Sequence, residues 1–409
     1  MRAQTGRGQI RRSVQRLKGR ENYNEIFRFG RLNLKKKIFG ALFLALCLVA
    51  AALSLAACGE TEKEPDGDVN GVHTYYYDEE TKTTKCLFDE ATLPLTFSFD
   101  ETKNVASVTG TTDSASTQLC LPEAIRRGEK GETYPVVSVS YQAFKGNTAL
   151  KSVVLPSSLT VVEANAFEGC SSLDTVEFSV NGEGKTAVSE FQSFAFAGTA
   201  FKAFDVPESV VTLGNYVFNN CTQLASVTLP SSLTEIGLYA FKNCAELVSV
   251  TIPASVSSIG NKAFEKCEKL TSVTFAEGSK LSEIKEGTFL DCASLTSLEI
   301  PQGVQIVGVD AFRNCAELIS VSLKTGVTEI RNRAFSGCAK LESISLPFGV
   351  SVIGNYAFDG CSLLSVIEFD DDSAVWQEIT GEVQGWNSEG HSLTVKCADK
   401  DLFYTGTNL

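Results

Sequence analysis

A single period constrains this chain more than any other feature. Cysteines stand at 170, 221, 244, 267, 292, 315, 338 and 361, and from Cys221 onward the intervals are 23, 23, 25, 23, 23 and 23 residues. Each lies three positions after a phenylalanine: Phe167, Phe218, Phe241, Phe264, Phe289, Phe312, Phe335 and Phe358. Phe144 and Phe196 head two further copies in which Asn147 and Thr199 replace the cysteine, giving ten copies in phase. A unit of this size cannot bury its own apolar face, so such units fold only by stacking on one another.

The local pattern says how they stack. After Leu247, Val250 and Ile252 are apolar while Ser249 and Thr251 are polar, the period of a strand with one buried face. Proline follows at Pro156, Pro207, Pro230, Pro253, Pro301 and Pro347, where it ends the strand because it has no N–H for the ladder. The recurring phenylalanines then form an internal stack, each contributing about 1.5 to 3 kcal/mol on leaving water. The overall pattern, I-x-x-x-A-F-x-x-C-x-x-L-x-x-V-x-[LIF]-P, resembles the leucine-rich repeats of BspA-like bacterial surface proteins. That resemblance implies a leucine-rich-repeat solenoid with one short parallel β-strand per repeat. It also implies adhesion, with no ligand residues to carry over.

We expect the regular array to span residues 116–370. A β-rich N-terminal cap is expected over 74–115, where Leu93 to Phe99 and Val105 to Thr109 are strand-like, and a β-rich C-terminal cap over 371–409, with Trp376 and Trp386. Caps are required because the end coils would otherwise expose their apolar faces. The ladder cysteines lack the paired C-x-x-C spacing of zinc sites, and Asn and Thr substitute for them, so a small buried side chain weakly bonded to backbone is the expected role. Disulfides between adjacent coils and a metal are the lesser alternatives. Cys86, Cys120 and Cys397 lie outside the ladder.

The amino terminus reads as an address. Lys35-Lys36-Lys37 precedes the apolar run from Ile38 to Ala57, and Leu55-Ala56-Ala57-Cys58 resembles the lipobox of bacterial lipoproteins. Residues 1–57 are therefore expected to be a basic n-region and signal peptide, and Cys58 to carry a diacylglycerol anchor to the cell membrane, two acyl chains being enough to hold a protein there. An uncleaved transmembrane helix is the alternative. Residues 58–73 have the acidic, turn-rich composition of a flexible tether. The n-region is long and Met1 is the only methionine, so translation is expected to begin at Leu32 or Leu34.

Charge and chemistry narrow the function. Residues 1–57 hold twelve of the 36 Lys and Arg but two of the 49 Asp and Glu, which leaves a net charge of −23 from Cys58 onward. That excess repels phosphate backbones, so no nucleic-acid partner is expected. Hydrolytic triads and most metal sites use histidine, and the chain has only His73 and His391, in the tether and the terminal cap. No P-loop, G-x-S-x-G or H-E-x-x-H occurs. The acids Glu177, Asp205, Glu299 and Glu368 fall several coils apart, too far for a glycosidase pair, and Asp370 to Asp372 read as a solvated turn in preference to a calcium site. The chain is expected not to be an enzyme and to need no cofactor or metal.

What remains is the exposed strand face. Its polar positions run Ser226 and Thr228, Ser249 and Thr251, Ser272 and Thr274, Ser297 and Glu299, Ser320 and Ser322, Ser343 and Ser345, a two-column ladder of hydroxyls. Such a ladder can hydrogen-bond a sugar or a protein, and it is also ordinary filling for an exposed strand. The expected function is a monomeric cell-surface lipoprotein that binds a host or matrix protein or glycan. A non-adhesive envelope scaffold is the alternative.

Overall fold

The computed structural model describes residues 75–86, 92–381, 383–385 and 392–404. The expected signal peptide, Cys58, the tether, His73, Trp386 and His391 lie outside these residues.

One coil illustrates the rest. Strand Ser249–Ile252 alternates exposed and buried residues. The Val256 N–H donates to the Pro253 carbonyl and turns the chain into a second strand of only two residues, Ser258–Ile259. The chain then bends at Gly260 and returns through Ala263-Phe264 and Cys267 to Leu270. Val250, Ile252, Val256, Ile259, Ala263, Phe264, Cys267 and Leu270 all point inward and are buried. The coil therefore carries a short second strand in addition to the expected one. The return segment also bonds between coils: Phe241 N–H donates to the Ala263 carbonyl at 2.7 Å, and Phe264 N–H to the Thr288 carbonyl at 2.9 Å. Backbone groups on all three sides thus pair between coils, except where the sheets break.

Longer strands from Ala203–Asp205 to Val366–Phe369 form a parallel sheet, which Leu393–Lys396 and Asp401–Tyr404 extend to ten strands. Gln118–Cys120, Ser152–Leu155 and Thr175–Phe178 make a separate three-stranded sheet. The two-residue strands form one sheet up to Ser258–Ile259 and another from Glu283–Ile284 to Val352–Ile353. Both breaks fall where the spacing lengthens: 29 residues separate Cys170 from Thr199, and 25 separate Cys267 from Cys292.

Inside, the ten phenylalanines stack from Phe144 to Phe358 with centroids 5.1 to 5.9 Å apart and planes within 3° to 18° of parallel. Beside them runs the cysteine ladder. The eight cysteines are buried thiols, and each Sγ donates to the carbonyl of the preceding coil's phenylalanine at 3.0 to 3.3 Å, as Cys244 does to Phe218 and Cys361 to Phe335. Where Thr199 replaces cysteine, its hydroxyl bonds the Phe196 carbonyl and lies 3.2 Å from Cys221 Sγ. Burial pushes the thiols up, to about 12 for Cys170 and about 11 for Cys221, and well above the usual value for Cys244, Cys267, Cys292 and Cys338.

Two corners need special backbone. Gly237 stands so close to the previous coil that a Cβ there would lie 2.5 Å from the Gly214 carbonyl carbon and 2.6 Å from Asn215 N, so only glycine allows this stacking. Two positions per coil, two residues before and two after the phenylalanine, adopt positive φ, at Tyr239 and Asn243 for Phe241.

Hairpins precede the array: Leu95–Asp100 pairs antiparallel with Val105–Thr111, which lies alongside Thr133–Val139. After it, Ser373–Thr380 forms an α-helix where only β-structure is expected from sequence. Its Trp376 is fully buried, packs edge-on to Phe369 at 5.3 Å and donates to the Tyr404 hydroxyl at 3.0 Å. One indole thus joins the last long strand to the final hairpin.

Candidate binding face

On the strand face, alternation decides what meets solvent. Val250, Val273, Leu298, Val321 and Ile344 are buried, while the residues on either side point out. Ser226, Ser249, Ser272, Ser297, Ser320 and Ser343 pair in unbroken register, one per coil, and all are exposed.

The second column is less regular. Thr251 pairs with Thr274, Glu299 with Ser322, and Ser322 with Ser345, but no pairing joins Thr228 to Thr251 or Thr274 to Glu299. Thr228 donates to Asp205 at 2.6 Å, Lys324 pairs with Glu299, and Ser345 is half-buried.

The interruption after Thr274 has a visible cause. The coil begun by strand Ser272–Phe275 holds two extra residues before Glu283–Ile284, and Ala276 to Ser279 fold into the resulting loop. Strand Ser272–Phe275 meets Ser297–Glu299 at a single residue pair. Beside this loop a concavity of about 870 Å³ opens on the face, lined by Ser272, Thr274, Phe275, Ser297, Glu299, Ser320, Ser322 and Lys324 among others. Sequence reasoning identifies the hydroxyls but not Phe275, Lys324 or the loop, because a 25-residue interval looks like ordinary variation in spacing.

The remaining candidates stay apart. Glu177 lies on the separate three-stranded sheet, where partial burial raises its carboxyl, and Glu368 is 3.8 Å from Lys396. Among the described residues no three His, Cys, Asp or Glu side chains converge as metal ligands, the Asp370 to Asp372 run included. The return side carries a different feature, a stack of half-buried rings: Phe194 to Tyr216 at 4.4 Å and Tyr216 to Tyr239 at 4.8 Å, with Lys242 Nζ 4.9 Å from the Tyr239 ring centre.

The sequence matches the BspA type leucine rich repeat region in six copies, over residues 137–271, 189–292 and 282–379. These matches cover more than half of the chain. It belongs to the BspA-type leucine-rich-repeat family. Similar solved structures include the pneumococcal vaccine antigen PcpA, 20% identical over 74% of this chain and 83% of that one, with a TM-score of 0.49. A leucine rich cell surface protein of Faecalibacterium prausnitzii is 21% identical over 78% and 98%, with a TM-score of 0.36. The leucine rich repeat protein of T. pallidum is 22% identical over 70% and 92%, with a TM-score of 0.33. No curated protein matches the chain. No helix among the described residues is long and apolar enough to cross a membrane.

Proposed function

We propose that this BspA-type repeat protein is an exported adhesion module, held on the cell membrane by a lipid on Cys58, whose strand face binds a host or matrix protein or glycan. One observation carries the reading: a column of six exposed serines in continuous register, flanked by a second polar column. Hydroxyls fixed at strand spacing, about 4.8 Å, present donors and acceptors whose positions the rigid core has already set. A partner bound there bears little of the ordering cost that a flexible loop would impose.

Family membership supports a binding role, and the two histidines give acid–base catalysis little to work with. The lipobox supports surface display, since a short acidic tether would hold the array just outside the membrane. Adherence of cells carrying the intact gene is expected to exceed that of a deletion strain on at least one matrix protein or glycan surface. Equal adherence on every surface would count against the proposal.

A further inference from the structure

We infer that the concavity beside the Ala276 to Ser279 loop is a binding site for an uncharged, linear saccharide. The inference rests on the reading that the strand face binds a partner, and it names the place and the ligand chemistry. At about 870 Å³ the concavity has the size of a small-ligand site. Three features of its lining select the ligand.

The first is hydroxyl density. Thr274, Ser297, Ser320 and Ser322 come from three successive coils, so hydroxyls recur over two strand steps, about 10 Å along the array. One strand step, about 4.8 Å, is close to the advance per residue of an extended β-linked sugar chain lying across the strands. Each sugar then meets a new strand.

The second is a single aromatic ring. At the fourth position of the strand the neighbouring coils place Ile252, Ile300 and Leu323, all buried, whereas Phe275 is only part-buried and lines the concavity. Behind it Val273, Leu298 and Val321 are covered and offer little apolar area. One ring among hydroxyls suits a pyranose, which has an apolar C–H face and a polar rim. It does not suit a protein hot spot, which needs several apolar or aromatic anchors in a dry centre.

The third is charge. Glu299 and Lys324 pair with each other, and Glu277 is the remaining charged residue of the lining. With a net charge of −23 from Cys58 onward, a polyanionic glycan is repelled, while a neutral one meets no penalty.

Isothermal titration of the full chain against cellohexaose, laminarihexaose and a heparin hexasaccharide tests this, alongside deglycosylated collagen and laminin on a surface. At least one neutral hexasaccharide is expected to bind and heparin to fail. Phe275→Leu is expected to weaken that binding about fivefold, and the triple change Thr274→Val, Ser297→Val, Ser320→Val tenfold or more. Both use strand-compatible residues, and thermal melts confirm that each variant is folded. Saccharide binding that both variants leave intact overturns the inference. So does capture of a deglycosylated matrix protein by the strand face with no saccharide bound, which leaves the broader proposal standing. A chain that binds none of these probes overturns the inference and counts against the broader proposal.

Discussion

The phenylalanine stack gives the sharpest stability prediction. Phe264 is fully buried between Phe241 at 5.1 Å and Phe289 at 5.5 Å, whereas Phe358, equally buried, stacks on one ladder ring, Phe335 at 5.7 Å. Changing a buried phenylalanine to alanine costs about 3 to 5 kcal/mol in lost transfer energy and cavity formation. Those contributions are alike at the two positions, so they largely cancel in the comparison. The residual difference is one ring–ring contact, about 0.5 to 1.5 kcal/mol. Phe264→Ala is therefore expected to be the more destabilising by about 1 kcal/mol. Because each coil touches only its neighbours, the interior gap should also uncouple the two halves and lower the urea m-value, which the end-position change leaves near wild type. Urea unfolding followed by far-ultraviolet circular dichroism reads both quantities. Equal losses at the two positions, with equal m-values, would refute the account of the core as a coupled stack.

Three further outcomes follow from named residues. Gly237→Ala forces a Cβ to within 2.5 Å of backbone and should cost about 2 kcal/mol or more, while Gly182→Ala, with open space around it, should stay within about 0.5 kcal/mol; similar thermal midpoints would contradict the close stacking. The ladder thiols have folded pKa values raised by burial, so their stabilisation is complete below the unfolded value near 9.0 and is lost as pH rises toward about 11 for Cys221 and about 12 for Cys170. Near pH 10 each such thiol should steepen the loss by about 1.4 kcal/mol per pH unit, and Cys267→Ser should reduce the slope by that amount; an unchanged slope would show that Cys267 ionises in the folded state. Cys58→Ala should move the protein from the membrane fraction to the soluble fraction or leave the precursor unprocessed, and unaltered size and membrane retention would argue against lipidation.

Sequence makes the repeat legible because Phe, Cys and the alternating strand all recur at one period, and each marks a buried position. The eight cysteines read as small buried groups because Asn147 and Thr199 replace them. The replacements bond within their own coil, Thr199 donating to the Phe196 carbonyl and Asn147 Oδ1 accepting from the Ala149 and Leu150 N–H groups, so the thiol-to-carbonyl bond between coils is invisible in the sequence. The second strand escapes notice because two residues, such as Ser258–Ile259, are too few to show a period. Positive φ at Tyr239 and Lys262 is equally hidden, since neither residue type signals a left-handed turn. The helix at Ser373–Thr380 is short, and tertiary packing of Trp376 outweighs weak local preference there. At the face, the hydroxyl columns are legible residue by residue. Their interruption is not, because it depends on how two additional residues after Phe275 redirect the chain.

The most direct test of the central claim compares the full chain with a variant carrying Ser249→Arg, Ser272→Arg and Ser320→Arg on a combined glycan and matrix-protein array. Exposed strand positions accept arginine without disturbing the core, so both proteins should melt alike. The account predicts at least one partner retained by the native chain and lost by the variant. A partner held equally by both, or none held by either, would contradict it.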